Sequence, residues 1–261
     1  MITSHNHAAN VIEAVRSALA QTKAPREVVV VDDGSTDGSV QLLRELELAE
    51  PLVRVVSQPN QGVILARNRA LQEATADWVA LLDSDDALEP TFIESTWAGL
   101  VQQADPRVAF VYTDALLVGA TTRIVTSRSF SPFALSLGNY VVNCCLLSRD
   151  AALAVDGYDV AFQEAGHEDW DFFLRLSEAG FRGLYVPGAL LRYRQHDAGS
   201  RNARSVAVEG HVNRQMIARH PKTSGRPLRR RILLGESAAL RTLMATRRAV
   251  VRAMRARRAS P

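Results

Sequence analysis

Only two cysteines occur in 261 residues, and they stand side by side as Cys144 and Cys145. Adjacent cysteines do not readily bridge each other, which excludes a disulfide framework, and their spacing matches no zinc or iron–sulfur pattern. Long apolar runs are also missing: no stretch approaches the roughly 18 to 20 residues that span a bilayer. The opening MITSHNHAAN lacks the basic start and apolar core of a secretory leader, so the expected compartment is the cytoplasm. No GxGxxG follows a strand and no GxxxxGK[ST] is present, which argues against a dinucleotide fold and a P-loop. Internal repeats and low-complexity tracts are absent as well.

The apolar share of 47% is ordinary for a globular protein and supplies a core. The net charge of +3 conceals an asymmetry. Residues 1–199 carry 15 Lys and Arg against 26 Asp and Glu, a net −11, whereas residues 200–261 carry 16 against 2, a net +14. An acidic body with a basic tail implies two units with different tasks.

To about residue 115, strand-like and helix-like segments alternate. Val11, Val15, Ala18 and Leu19 recur at helical spacing, which predicts a helix over about 9–21. Val28–Val31 is a β-branched run of the kind buried in a parallel sheet. Further helices are expected at 63–75 and 91–104, further strands at 52–57, 78–82 and 108–113, and Ile2-Thr3 is the stub of a first strand. This alternation predicts an α/β fold with a mostly parallel sheet covered on both faces. Ligands of such sheets bind beyond the carboxyl ends of the strands, where both Asp32-Asp33 and Asp83-Ser84-Asp85-Asp86 fall. Residues 127–137 show no clear period and are expected to form a loop over the site. A helix is expected over 169–179, and short strands at 184–186 and 189–193.

Three acidic clusters carry the chemistry. Carboxylates crowded at Asp83-Ser84-Asp85-Asp86 repel one another, and a hard divalent cation would relieve that repulsion. An acidic loop capping the helix near Pro90 has the same appearance. Asp33 can accept from a base N–H or a ribose hydroxyl, or can simply close a turn. Glu168 and Asp169 enter a helix, where they are either favourable charges at its N-terminus or include a general base.

Taken together, seven stretches resemble glycosyltransferase family 2. They are Ile2-Thr3-Ser4-His5-Asn6, the run from Val30 to Asp37, Asn60-Gln61-Gly62 with Ala66-Arg67-Asn68, Leu81 to Asp86, Gly157-Tyr158-Asp159, His167 to Asp171, and Arg192 to His196. They occur in the family's order over about residues 1–200. The resemblance implies a GT-A fold with a nucleotide-sugar-binding half (1–115), an acceptor and catalytic-base half (116–205), and a basic helical extension (206–261). It implies that Thr3, His5 and Asp33 contact base and ribose, with Arg67 near the nucleotide. It assigns Asp85 to the ribose side, Asp86 to a Mn²⁺ or Mg²⁺ ion on the diphosphate, and His196 to a metal or phosphate contact. Asp169 is the implied base and Glu168 an acceptor-binding acid. The implied reaction is an inverting, metal-assisted displacement onto an acceptor hydroxyl of a carbohydrate or lipid-linked intermediate in polysaccharide or glycolipid synthesis.

Three departures stand out. The first strand starts at residue 2, His5 replaces a tyrosine common in the family, and residues 192–196 are not the QxxRW of processive members. A transferase adding one sugar at a time follows. A sugar nucleotidyltransferase is the rival enzyme, but residues 2–10 lack its Gly-rich basic loop. A binding module without catalysis is the rival from another class. In the tail, Leu240, Leu243, Met244, Val251 and Met254 form one stripe and Arg241, Arg248, Arg252 and Arg255 another. That pattern suits peripheral contact of residues 226–258 with an anionic membrane, or equally a helix packed on the body. Without interleaved aromatics, nucleic acid is not the expected partner.

Overall fold

A computed structural model describes residues 1–119, 121–163, 166–195, 215, 216 and 218–220. The chain forms two compact units, Met1–Ala207 and Val208–Pro261; the account below concerns the first. His196 and the helix expected at 226–258 lie outside the described residues. Among the described residues no helix is long and apolar enough to cross a membrane.

The unit begins with β1 (Ile2–Ser4), α1 (Val11–Leu19), β2 (Val28–Asp33), α2 (Ser39–Ala49), β3 (Val53–Gln58) and α3 (Val63–Glu73). There follow β4 (Trp78–Ala80), β5 (Leu82–Asp83), β6 (Ala87–Leu88), α4 (Phe92–Gln103), β7 (Val108–Val118) and β8 (Arg123–Val125). Last come α5 (Pro132–Leu137), β9 (Leu146–Ser148), α6 (Arg149–Ala154), a 3-10 turn at Val160–Phe162, α7 (Glu168–Glu178) and β10 (Arg182–Arg194).

Four strands form a wholly parallel sheet in the order β3-β2-β1-β5. The β2 valines explain it. Val28 and Val30 face Val11, Ala14 and Val15 of α1, while Val31 packs on Ala66 and Ala70 of α3 on the other side. All six β2 residues are therefore buried, as a strand covered on both faces requires. The short first strand sits inside the sheet: Thr3 pairs with Val31 on one side and Asp83 on the other.

A second, mixed sheet has the order β4-β9-β7-β10-β6, with β8 added to β7. Here β7 and β10 are parallel and the other pairings antiparallel. Three expectations are corrected. The strand predicted at 78–82 breaks at Leu81, whose N–H donates to the Cys145 carbonyl at 2.9 Å. It thus leaves the mixed sheet as β4 and joins the parallel sheet as β5. The stretch expected to be a loop contains α5, opened by Pro132 and capped by Ser131; six residues are too few to display a helical period. The two short strands expected near 184–193 are one bulged strand, β10. Asp114 spans its irregularity by accepting from Tyr185 Oη at 2.7 Å and Gly188 N–H at 3.1 Å.

Beside Arg67, Asn68 clamps a distant turn. Its Nδ2 donates to the Tyr158 carbonyl and its Oδ1 accepts from Tyr158 N–H, each at 2.8 Å. Gly157 has φ +64°, and a Cβ there would lie 2.4 Å from Asn68 Oδ1. Gly157→Ala is expected to destabilise by about 3 kcal/mol, since left-handed strain adds to the broken clamp. Gly38→Ala is the comparison, because Gly38 has φ +91° with nothing within 4 Å. It is expected to cost about 1 kcal/mol. Urea denaturation of both variants measures the difference.

Candidate active site

The carboxyl ends of β1, β2 and β5 open into a cleft of about 860 Å³. Thr3, His5, Asp33, Arg67, Asp85, Asp86, Glu168 and Asp169 all line it. Residues separated by more than 160 positions in sequence are therefore neighbours.

On the β2 side, Asp33 is buried and accepts three hydrogen bonds. Gln58 Nε2 and Gln61 N–H donate to Oδ1 at 2.8 and 2.9 Å, and Gly62 N–H donates to Oδ2 at 2.7 Å. Asp33 thereby shapes the turn leading into α3. His5 Nδ1 lies 2.7 Å from the Asp33 carbonyl. A carbonyl only accepts, so this nitrogen carries a proton. The side-chain amides of Asn6 and Asn60 approach Nε2 at 3.1 and 3.3 Å. The imidazole is held from both ends.

Arg67 is buried at the floor and bridges two acids. It donates to Glu168 at 2.7 Å and to both oxygens of Asp83 at 2.8 and 3.1 Å. Burial works against its charge, but Asp83 and Glu168 outweigh that and hold it well above its usual range. The guanidinium also lies 5.5 Å from the centre of the Tyr158 ring. Its contacts are thus with protein acids rather than with the open part of the cleft.

Asp86 is 5% exposed, and its Oδ1 accepts from Arg194 N–H at 2.8 Å. Burial first, then repulsion by Asp83 and Asp85, pushes its carboxyl up to about 8. Among the described residues no three His, Cys, Asp or Glu side chains are grouped so as to hold a metal ion. At the opposite wall, Glu168 and Asp169 begin α7 after two left-handed residues, Gly166 and His167. Asp169 Oδ1 accepts from Trp170 N–H at 2.7 Å and Oδ2 from Asn139 Nδ2 at 2.8 Å. Burial raises the Asp169 carboxyl above its ordinary range and Glu168 adds to this, against the pull of Arg67.

Residues 1–115, which include both strand-end acid clusters and Arg67, match the family described as glycosyl transferase family 2. The chain belongs to glycosyltransferase family 2. Family 2 relatives include a chondroitin synthase of Pasteurella multocida, 32% identical over 183 residues. That alignment covers 69% of this chain and 18% of the synthase, so the chain spans under a fifth of that relative. The fold is the GT-A type. Staphylococcus aureus TarS residues 1–349, solved with UDP-GlcNAc, superposes with a TM-score of 0.68 at 18% identity, covering 90% of this chain and 69% of that one. The Pyrobaculum calidifontis mannosyltransferase PcManGT, solved with GDP-Man and Mn²⁺, gives 0.59 at 20% identity, covering 95% and 78%.

The sequence reading passed over Asp83 as a separate residue, and with it Asn139, Asn143, His7 and Tyr193, all in the cleft. Asp83 carried a signal, because it opens an acidic cluster at a strand end. Asn139 carried none, because no local pattern marks it.

Two outcomes test the electrostatics. Arg67→Met is expected to cost about 3 to 5 kcal/mol, because two acids lose their cation. Adding Glu168→Gln is expected to recover part of that loss in urea titrations. Between the ordinary carboxylate range and about 8, the folded state holds a proton on Asp86 that the unfolded chain has released. This group therefore costs stability as pH rises. In EDTA, Asp86→Asn is expected to raise Tm more at about pH 8.5 than at about pH 5.

Proposed function

We propose that this cleft transfers a sugar from a nucleotide-sugar donor to an acceptor hydroxyl with inversion at the anomeric carbon. The observation that carries the reading is Asp169, a half-buried carboxylate of raised proton affinity in the same cleft as the strand-end acids. In this reading residues 1–115 bind the donor and 116–205 the acceptor. Thr3, His5 and Asp33 face base and ribose, and Asp85 stands on the ribose side. Asp169 takes the proton from the acceptor hydroxyl as its oxygen bonds to the anomeric carbon. The bond from that carbon to the diphosphate oxygen breaks, and a nucleoside diphosphate leaves. Glu168, paired with Arg67, supports acceptor binding.

Asp86 would hold a divalent cation. The fit rests on Asp86: a buried carboxyl beside two other acids gains from a neighbouring positive charge. One carboxylate with diphosphate oxygens and water makes an ordinary Mg²⁺ or Mn²⁺ shell, so a three-acid protein cage is not required. When bound, the cation offsets the negative charge that develops on the leaving diphosphate. Mn²⁺ with GDP-Man in PcManGT and UDP-GlcNAc in TarS support this class of donor. The chondroitin synthase relative favours a polysaccharide acceptor. One-at-a-time transfer and a peripheral membrane location complete the reading.

The test is thermal stabilisation by UDP, GDP, TDP and CDP, each with and without Mn²⁺. One nucleotide is expected to raise Tm with Mn²⁺, and Asp86→Ala to abolish that rise. Asp169→Asn is expected to keep the stabilisation and lower transfer about 10²- to 10⁴-fold. Transfer should also fall on acidification at a pH above the ordinary aspartate range, since the base works deprotonated. Failure of all four nucleotides to stabilise the wild type would end the proposal.

A further inference from the structure

The segment linking α5 to β9 reaches the acid at the start of α7 through one amide. Asn139 Nδ2 donates to Asp169 Oδ2 at 2.8 Å, while Asn139 Oδ1 accepts from Val141 N–H at 3.0 Å. The second bond fixes the amide's orientation: an oxygen must face the Val141 N–H, so the NH₂ must face Asp169. The backbone presenting Asn139 is braced in turn. Tyr140 Oη accepts from Ser131 N–H at 2.8 Å, and the Tyr140 carbonyl accepts from Ser127 Oγ at 3.0 Å. Four residues upstream of Asn139 and one beyond Asp169, a second bond joins the same elements. Trp170 Nε1 donates to the Leu135 carbonyl at 2.7 Å and is buried. The spacing between Asn139 and Asp169 is thus fixed by two hydrogen bonds and not by side-chain reach alone.

We propose that Asn139 is the positioning residue of the Asp169 carboxylate, fixing its rotation and restraining its proton affinity. The proposal rests on the reading of Asp169 as base. One donor on each oxygen, Trp170 N–H on Oδ1 and Asn139 on Oδ2, pins the carboxylate plane. Each oxygen keeps a second lone pair, so the carboxylate can still receive a proton from an acceptor hydroxyl. A donor to the ionised form also stabilises it, opposing the burial that favours the protonated acid. Among the described residues, the other charged or titratable groups around Asp169 are Glu168 and His167 at the start of α7, Arg67 on α3, Asp83 on β5, and Tyr158 before the 3-10 turn. Arg67 favours the ionised form, but it is shared between Asp83 and Glu168. Among the described residues, Asn139 is the side chain that donates directly to Asp169.

The experiment is a pH titration of aspartate side-chain carboxyls by ¹³C NMR in the full chain. The Asp169 resonance is assigned by its loss in Asp169→Asn. Asn139→Leu is expected to raise the Asp169 midpoint by about one pH unit, the worth of a charge-assisted hydrogen bond. Asn139→Gln, which keeps an amide, should restore part of the shift. Asn139→Asp preserves shape and replaces the donor by an acid, so it is expected to raise the midpoint further; this variant serves if leucine prevents folding. A midpoint unchanged in a folded Asn139→Leu or Asn139→Asp protein overturns the proposal. Release of nucleoside diphosphate from UDP-GlcNAc and GDP-mannose separates the two readings. If Asp169→Asn turned over either donor at the wild-type rate, the base reading would fall and the positioning role with it, even with the midpoint shifted.

Discussion

Arg67 is a cation withdrawn from water and held by acids from two distant parts of the chain. Asp83 ends β5 in the parallel sheet, and Glu168 begins α7, 101 residues beyond Arg67. Such a bridge contributes little net stability, because desolvation offsets most of the attraction. Its effect is geometric. A guanidinium is planar and its donors diverge at fixed angles, so it sets both the distance and the orientation of the groups it joins. The end of β5 and the helix terminus bearing Asp169 are thereby held in one frame. Asn68, the next residue on α3, clamps the Tyr158 backbone, and the Tyr158 ring stacks on Phe172 of α7 at 4.3 Å. Two consecutive residues of α3 thus hold α7 at two points.

The cleft is strongly biased in charge. Asp33, Asp83, Asp85, Asp86, Glu168 and Asp169 line it, and among its described lining residues Arg67 is the sole Lys or Arg. Its charge is committed to Asp83 and Glu168, and so does little for Asp86. Burial first, and the neighbouring acids after it, push Asp86 and Asp169 towards their protonated forms, while Arg67 is held firmly charged. A donor diphosphate would bring further negative charge, which gives the proposed divalent cation a physical role beyond analogy.

The sequence was legible where one local signal determined the outcome. The valines of β2 revealed a strand buried on both faces, and the position of Asp32-Asp33 and Asp83–Asp86 after apolar runs pointed to strand ends beside a ligand. Ala66-Arg67-Asn68, Gly157-Tyr158-Asp159 and the start of α7 could be seen as separate stretches, but not as one network, because contact across 90 or more residues leaves no mark on periodicity. Asn139 was illegible for the same reason. An asparagine near a turn is unremarkable until Asp169 arrives beside it. The break at Leu81 was hidden because an apolar run looks the same whether it serves one sheet or two.

That break has a consequence for how such a protein diversifies. Because β4 pairs with β9 while β5, after the single residue Leu81, pairs with β1, the two sheets share a continuous backbone. β6 likewise donates itself to β10. A recombination joint placed between an N-terminal and a C-terminal half would split the mixed sheet between parents, not exchange a module. The stretch between β7 and β9 is anchored at both ends by neighbouring strands, so its exposed residues can change without parting either sheet.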